Sequence, residues 1–139
     1  MSEPAPELVD AVAELAFAVH ARLTALAARH DLSLTQMRLL GILRDREPPM
    51  LELGRHLDLT KSSVSGLVDR AARRGLVERV PGASDGRVVH VRLTDEGRTF
   101  ARAVEQEAAK ALSELLEPLP EPDRARLAQL AVRVTRGAT

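Results

Sequence analysis

Along most of this chain apolar residues recur at steps of three and four, and in one place only, after Gly75, the spacing gives way to near alternation. Steps of three and four gather side chains on one face of a helix, whereas alternation gathers them on one face of a strand. A chain patterned this way folds as helices that carry a single hairpin. The first stripe, after Pro4 and Pro6, is Leu8, Val12, Leu15, Val19, Leu23 and Leu26, which predicts a helix running to about Arg29. Ser33 and Gln36 have the spacing of a capping box, and Met37, Leu40 and Leu43 extend a second helix over Leu34 to Arg46, stopped by Pro48-Pro49. Leu51 to Leu57 reads as a short helix, and Thr60 can cap a longer one that ends at Gly75.

Val77 to Val80 and Val88 to Leu93 are rich in β-branched residues, and Pro81-Gly82-Ala83-Ser84-Asp85-Gly86 between them is a run of turn formers, so the two segments pair as a hairpin. Thr94 then caps a long helix through Phe100, Val104, Ala108, Ala111, Leu115 and Leu119, broken around Pro118 to Pro122, and a last helix carries Leu127, Leu130 and Val134. The expected fold is mainly α with a small β-hairpin wing: helix, helix, helix-turn-helix, hairpin, helix, helix, about six helices in all. At 139 residues and 45% hydrophobic, this is one domain, 1–139. Its expected parts are a lobe at 47–97 and flanking helices at 5–46 and 98–139. The stripes of the first and last helices exceed what so small a lobe can cover, which predicts a homodimer.

Net charge is zero, so the whole molecule gives no argument for a polyanionic partner, but the charge is unevenly spread. Between Thr60 and Arg92 lie Lys61, Arg70, Arg73, Arg74, Arg79, Arg87 and Arg92 against Asp69, Glu78 and Asp85, a local balance of +4. Such a stretch suits a phosphate-binding face, although solvated surface has the same composition. Cysteine is absent, which removes disulfides, thiolate metal sites and thiol redox sensing. No uninterrupted apolar run reaches membrane-span length, and Met1 to Glu7 lacks the basic start of a signal peptide, so the expectation is a cytoplasmic protein without a membrane partner.

The stretch from Leu53 to Leu93 carries the chemistry. Leu53, Leu57 and Leu59, with Val64, Leu67 and Val68, supply the apolar seam by which two short helices pack across a tight turn. The second helix opens Thr60-Lys61-Ser62-Ser63-Val64-Ser65-Gly66. Small hydroxyls there let a helix approach base edges in a major groove, and a free N-terminus with Lys61 attracts phosphate. The plainer reading is that Thr60, Ser62 and Ser63 only cap the helix. Asp85-Gly86-Arg87 falls in the hairpin loop just after that helix, where an Arg reaches a flanking minor groove and Asp85 can fold back on Arg87 or on loop amides.

Leu59-Thr60-Lys61-Ser62-Ser63-Val64-Ser65, Arg74-Gly75-Leu76-Val77-Glu78-Arg79, Asp85-Gly86-Arg87 and Val91-Arg92-Leu93-Thr94-Asp95-Glu96-Gly97, occurring in that order, resemble the MarR family of winged helix-turn-helix regulators. Leu34-Thr35-Gln36-Met37-Arg38-Leu39-Leu40 matches its second helix as well. The resemblance covers nearly the whole chain. It implies a triangular homodimer with intertwined first and last helices, two lobes that bind double-stranded DNA, and often a small-molecule pocket between lobe and dimer region. It makes Thr60 to Arg74 the base-reading helix and Arg87 the wing residue. The DNA-binding set is then Thr60, Lys61, Ser62, Ser63, Ser65, Arg70, Arg73, Asp85 and Arg87, in a transcriptional repressor acting on an inverted-repeat operator. Two positions depart from the pattern. Asp58 stands where helix-turn-helix turns often place Gly, and Met50 where a capping hydroxyl would start the first helix of the motif.

His20, His30, His56 and His90 show no paired spacing for a metal, and neither metal nor cofactor is expected. His56 and His90 are read as flanking the DNA face. Phe17 and Phe100 fall at helix positions read as core-facing; the sharper alternative groups Phe17, His20, Met37 and Phe100 around a small lipophilic or phenolic effector. With no phosphate-loop or zinc-protease motif, an enzyme is not expected. The competing function is a winged-helix architectural or protein-interaction module without ligand control.

Overall fold

The computed structural model describes residues 2–138. Six helices and one two-stranded antiparallel sheet follow in the order α1 (Pro6–Arg29), α2 (Leu34–Leu43), α3 (Met50–Leu57), α4 (Lys61–Arg73), β1 (Val77–Pro81), β2 (Val89–Leu93), α5 (Asp95–Leu115) and α6 (Glu121–Gly137). This is the winged helix-turn-helix order read from the sequence. Local chemistry sets the boundaries. The side chain of Ser33 accepts from the Gln36 backbone N–H at 3.1 Å while Gln36 accepts from the Ser33 N–H at 2.8 Å, the reciprocal box that starts α2. Gly75 ends the α4 segment with φ of 75°, a left-handed step that glycine takes without strain.

Two boundaries differ from the sequence reading. α2 stops at Leu43 instead of Arg46, because the chain turns there toward Pro48-Pro49, and a residue before proline is pushed out of the helical region. Pro81 belongs to β1 and pairs with Val89 rather than sitting in the turn. It lies at the end of a two-stranded ribbon, where a missing N–H breaks no ladder.

The chain forms two compact units, Met1–Arg22 with Ala109–Thr139, and Leu23–Ala108. In the first, Leu15 and Val19 of α1 line an apolar groove with Leu112, Leu115 and Leu116 and with Leu127, Ala128 and Ala131 of α6. The Arg22 guanidinium donates to the Ala111 carbonyl at 3.4 Å, and Arg124 donates to the carbonyls of Leu119 and Glu117, closing the α5–α6 turn. Much apolar surface stays open: Leu8, Val9, Val12, Leu130 and Val134 are exposed, and Phe17 is 74% exposed. The core position read for Phe17 does not hold within one chain, because it lies on the side of α1 opposite the Leu15–Val19 stripe. The reading of no span-like segment also needs correction. An 18-residue window of α1 has mean hydropathy 1.4, long and apolar enough by composition to cross a membrane, with only 11% of it buried in the chain. Alanines between Asp10, Glu14 and Arg22 raise the mean although no uninterrupted apolar run exists.

The second unit owns the core. Leu39, Leu40 and Leu43 of α2, Leu53 and Leu57 of α3, and Val64, Leu67, Val68 and Ala71 of α4 close on Leu76, Val77, Val91, Leu93 and Ala101. Phe100 packs at its edge, partly buried as expected, between the His30 ring and the Arg74 guanidinium, each 5.5 Å from its centroid. His30 also bonds Glu107, which holds that carboxyl below its usual range, and Arg44 pairs with Glu105 at 2.5 Å. Exposed pairs of this kind contribute little stability but fix where α5 lies against the α1–α2 corner.

The tightest packing is where the hairpin returns. Thr94 donates its N–H to the Leu76 carbonyl at 3.0 Å and its hydroxyl to the Gly75 carbonyl at 2.5 Å, and its oxygen accepts from the Gly97 N–H at 2.9 Å. A Cβ on Gly97 would overlap the Leu76 carbonyl. Gly97→Ala should therefore destabilise the fold by about 1–3 kcal/mol, despite alanine's better helix propensity. Urea unfolding measures this, and an unchanged midpoint would refute the tight contact.

Candidate nucleic-acid interface

α3 and α4 meet across the turn Asp58-Leu59-Thr60. Asp58 takes the left-handed conformation, φ 54° and ψ 47°, so the motif keeps its geometry without glycine, as a short polar side chain tolerates. The Leu59 N–H then reaches the Gly54 carbonyl at 3.0 Å. Pro49, not a hydroxyl, stands at the N-cap of α3 and gives it no side-chain bond. That helix start is instead anchored to the wing: the Val91 N–H donates to the Pro48 carbonyl at 3.0 Å, and Pro49 bridges to His90.

The α4 cap confirms the plainer reading for part of its hydroxyl cluster. Thr60 Oγ1 accepts from the Ser63 N–H at 3.2 Å and donates to Ser63 Oγ at 2.9 Å, with Ser62 Oγ 3.3 Å away. Capping leaves these groups exposed at the helix tip, so cap and contact surface are compatible. Along α4, Val64, Leu67, Val68 and Ala71 are buried. At 100° per residue the opposite side carries Ser62, Gly66, Asp69 and Arg73, flanked by Ser65 and Arg70. Lys61, Arg70 and Arg73 are exposed, and among the described residues none of them has an acidic partner.

Arg79 was missed as a site residue. From β1 its guanidinium pairs with Asp69 at 2.8 Å and approaches the Ser65 carbonyl at 3.4 Å and hydroxyl at 3.5 Å, tying the wing to the middle of α4. The available signal was strand period: Arg79 lies two residues past buried Val77, on the same face of the hairpin. At the wing tip Asp85 folds back as expected, accepting from the Arg87 N–H at 3.0 Å and from its Nε at 3.3 Å. The Arg87 side chain remains 93% exposed. The two histidines read as flanking the DNA face are both engaged within the protein. His56 lies 3.4 Å from Glu52, and His90 Nδ1 lies 2.6 Å from the Glu47 carbonyl.

Between the α4 tip, α3 and the wing runs a cleft of about 800 Å³, lined by Met50, Leu51, Val64, Val88 and Val89, with Arg55 and Lys61 also on its wall. Phe17, His20, Met37 and Phe100 do not line it. Phe17 and His20 are exposed in the first unit, while Met37 and Phe100 pack against the core of the second. One string in the wing turn, Gly82-Ala83-Ser84-Asp85-Gly86, has the Gly-x-Ser-x-Gly spacing of a hydrolase nucleophile. It occupies a hairpin turn, not the strand-to-helix elbow that exposes a hydrolase nucleophile, and Ser84 makes no hydrogen bond.

Comparison with known proteins resolves what this lobe is. A family model described as the MarR family matches residues 30–88, the segment holding α2, the helix-turn-helix and the wing tip. The chain is also 27% identical over 113 residues to the HTH-type transcriptional regulator PecS of Dickeya dadantii, covering 78% of this chain and 68% of that protein. The lobe built from α2, the helix-turn-helix and the wing is thus similar to the MarR family. The HTH-type transcriptional repressor IacR of Pseudomonas putida is 34% identical over 84 residues, 57% of this chain and half of IacR. CouR of Rhodococcus jostii RHA1, solved bound to p-coumaroyl-CoA, shares the fold with a TM-score of 0.79 at 18% identity, covering 93% of this chain and 92% of CouR. The named relatives are helix-turn-helix transcriptional regulators, and DNA-binding transcription regulation is the function these matches support for this chain.

Arg87, exposed at the wing tip, allows the expected DNA contact of the wing to be tested apart from α4. Replacing Arg87 by Ala should weaken binding to all duplexes and flatten the salt dependence by about one unit, as for loss of one phosphate or minor-groove cation. Anisotropy titrations at several salt concentrations read this directly; identical slopes would remove the wing from the interface.

Proposed function

We propose that this chain is a MarR-family regulator acting as a homodimeric repressor, each protomer inserting α4 into a major groove of duplex DNA and laying its wing along the adjoining minor groove. The observation that carries the reading is the two-sidedness of α4. One face is buried, the other carries Arg70 and Arg73 beside small hydroxyls, and Lys61 stands exposed at the tip, all three without acidic partners among the described residues. Free cations on a helix held rigidly from behind suit phosphate contact, and short side chains suit close approach to base edges. The proposed contacts are Thr60, Lys61, Ser62, Ser63, Ser65, Arg70, Arg73, Asp85 and Arg87. Dimerisation is supported by the apolar surface that α1 and α6 leave open. A second copy covers such surface, and two-fold symmetry then calls for an inverted-repeat operator, read in the cytoplasm where the genome lies.

Release by a small effector is supported by the cleft beside α4. Its apolar floor, with Arg55 and Lys61 on the wall, suits a lipophilic or phenolic acid, and an occupant there would stand between recognition helix and wing. CouR, which shares this fold, was solved bound to p-coumaroyl-CoA, and that supports a ligand of aromatic character.

Selection of bound duplexes from a random pool tests the function. The expected product is an inverted repeat with half-sites about 10 base pairs apart, centre to centre, bound by a dimer in sedimentation. Equal, salt-sensitive affinity for every sequence would favour the architectural module instead. Gly66 gives a finer test. It lies mid-helix on the outward side, and the only atom near a Cβ there would be an Arg70 guanidinium nitrogen at 3.5 Å, an ordinary contact. Gly66→Ala should stabilise the free protein by roughly 0.5–1 kcal/mol through helix propensity, yet weaken operator binding by crowding the groove. Stabilisation with unchanged affinity would place that stretch of α4 outside the groove.

A further inference from the structure

His90 has no role in the DNA contact described above, and its side chain touches two segments that otherwise have no reason to move together. Nδ1 lies 2.6 Å from the carbonyl oxygen of Glu47, in the connection between α2 and α3. That carbonyl can only accept, so Nδ1 carries the proton. The other edge of the ring borders the wing turn at the space a side chain on Gly82 would fill: a Cβ there would come within 2.7 Å of Nε2 and 2.9 Å of the Asp85 carbonyl oxygen. The turn is itself closed by the Gly82 N–H to the Val88 carbonyl at 2.8 Å and the Val88 N–H to the Asp85 carbonyl at 3.1 Å. Backbone bonding fixes only the base of the hairpin against this connection, through Val91 to Pro48 and the Pro49–His90 bridge. Beyond that point the His90 ring is the contact between the α2–α3 connection and the turn that presents Asp85 and Arg87.

We infer that His90 is a positioning residue for the wing, setting the angle at which Arg87 meets DNA by bracing Gly82 from the Glu47 carbonyl. The inference rests on the DNA-binding reading of the wing. A two-stranded ribbon twists and bends readily, and Arg87, 93% exposed with only Asp85 beside it, has no restraint of its own against α3 or α4. An unbraced tip spends less time where its cation can enter a narrow groove, so the brace acts on affinity through Arg87 and not by contact of His90 with DNA.

The test is a double-mutant cycle on the full chain, using a random-sequence duplex of about 30 base pairs, long enough for two half-sites one turn apart. His90→Ala should weaken binding by nearly as much as Arg87→Ala, and the double variant should match Arg87→Ala within about twofold. His90→Asn, whose amide can donate to the Glu47 carbonyl but which lacks the ring edge that meets Gly82, should stay as weak as His90→Ala within about twofold, and wild-type affinity there would overturn the brace, while thermal midpoints verify that all variants fold. Ring ¹⁵N shifts of the free protein above neutral pH should report the Nδ1–H tautomer. Additive losses for His90→Ala and Arg87→Ala, full affinity in His90→Ala, or an Nε2–H tautomer would each overturn the brace while leaving the wing in the interface. Unchanged binding in Arg87→Ala would overturn the wing reading itself, and the brace with it.

Discussion

The contact on which the functional lobe depends is the close approach of Gly97 to the Leu76 carbonyl. α4 has just ended there, the hairpin leaves and returns, and α5 begins. Thr94 bonds both Gly75 and Leu76, so the two ends of the β segment are joined by hydrogen bonds of 2.5 and 3.0 Å. Only a residue without a side chain allows α5 to start this near the exit of α4. The wing is thereby tied at its root to the C-terminal end of α4, and every later refinement of its position starts from that knot.

From that knot outward the restraints weaken in order. Val77, Val91 and Leu93 are buried in the core and make the base of the hairpin as rigid as the helices beneath it. Midway, the Arg79–Asp69 pair and the Pro48–Val91 bond tie one strand to α4 and the other to the start of α3. At the tip, the restraints among the described residues are the His90 ring, the Gly82–Val88 and Val88–Asp85 backbone bonds and the Asp85–Arg87 turn. A graded arrangement of this kind suits a DNA reader, because its base must not shift while its tip must fit a groove whose width varies with sequence. It also explains why Arg79 is unsuited to be a free phosphate contact although its charge matches the others: Asp69 already neutralises it.

The lobe achieves this with almost no aromatic residues. Its interior is Leu, Val and Ala, with Phe100 at the edge between His30 and Arg74, and buried side chains of this size interdigitate well around short helices. The other unit shows the opposite economy. α1 and α6 have few buried residues of their own, and α1 is apolar over most of its circumference. A helix in that condition leaves apolar surface uncovered by its own chain, and that same surface is long and apolar enough by composition to cross a membrane.

Helix periodicity, capping residues and turn formers were enough to write the element order, because each acts over one to four residues. The Ser33–Gln36 box, the Thr60 and Thr94 caps, the left-handed Gly75 and the near alternation after it are all local devices, and they were legible before any coordinates. Asp58 was legible too, since its left-handed conformation follows from a turn length that allows little else. The serines and cations of α4 could be placed on the tip and outer face of that helix from the 100° step alone. What the chain order could not reveal were partnerships between residues distant in sequence. The Arg79–Asp69 bond, the engagement of His90 by Glu47, and the seat of Gly97 on Leu76 arise only when α4, the hairpin and α5 pack together. Exposure of Phe17 is of the same kind. Spacing marks an apolar side chain as needing cover, and only tertiary structure decides whether its own chain supplies that cover, because burial depends on which surfaces meet and not on the period that created them.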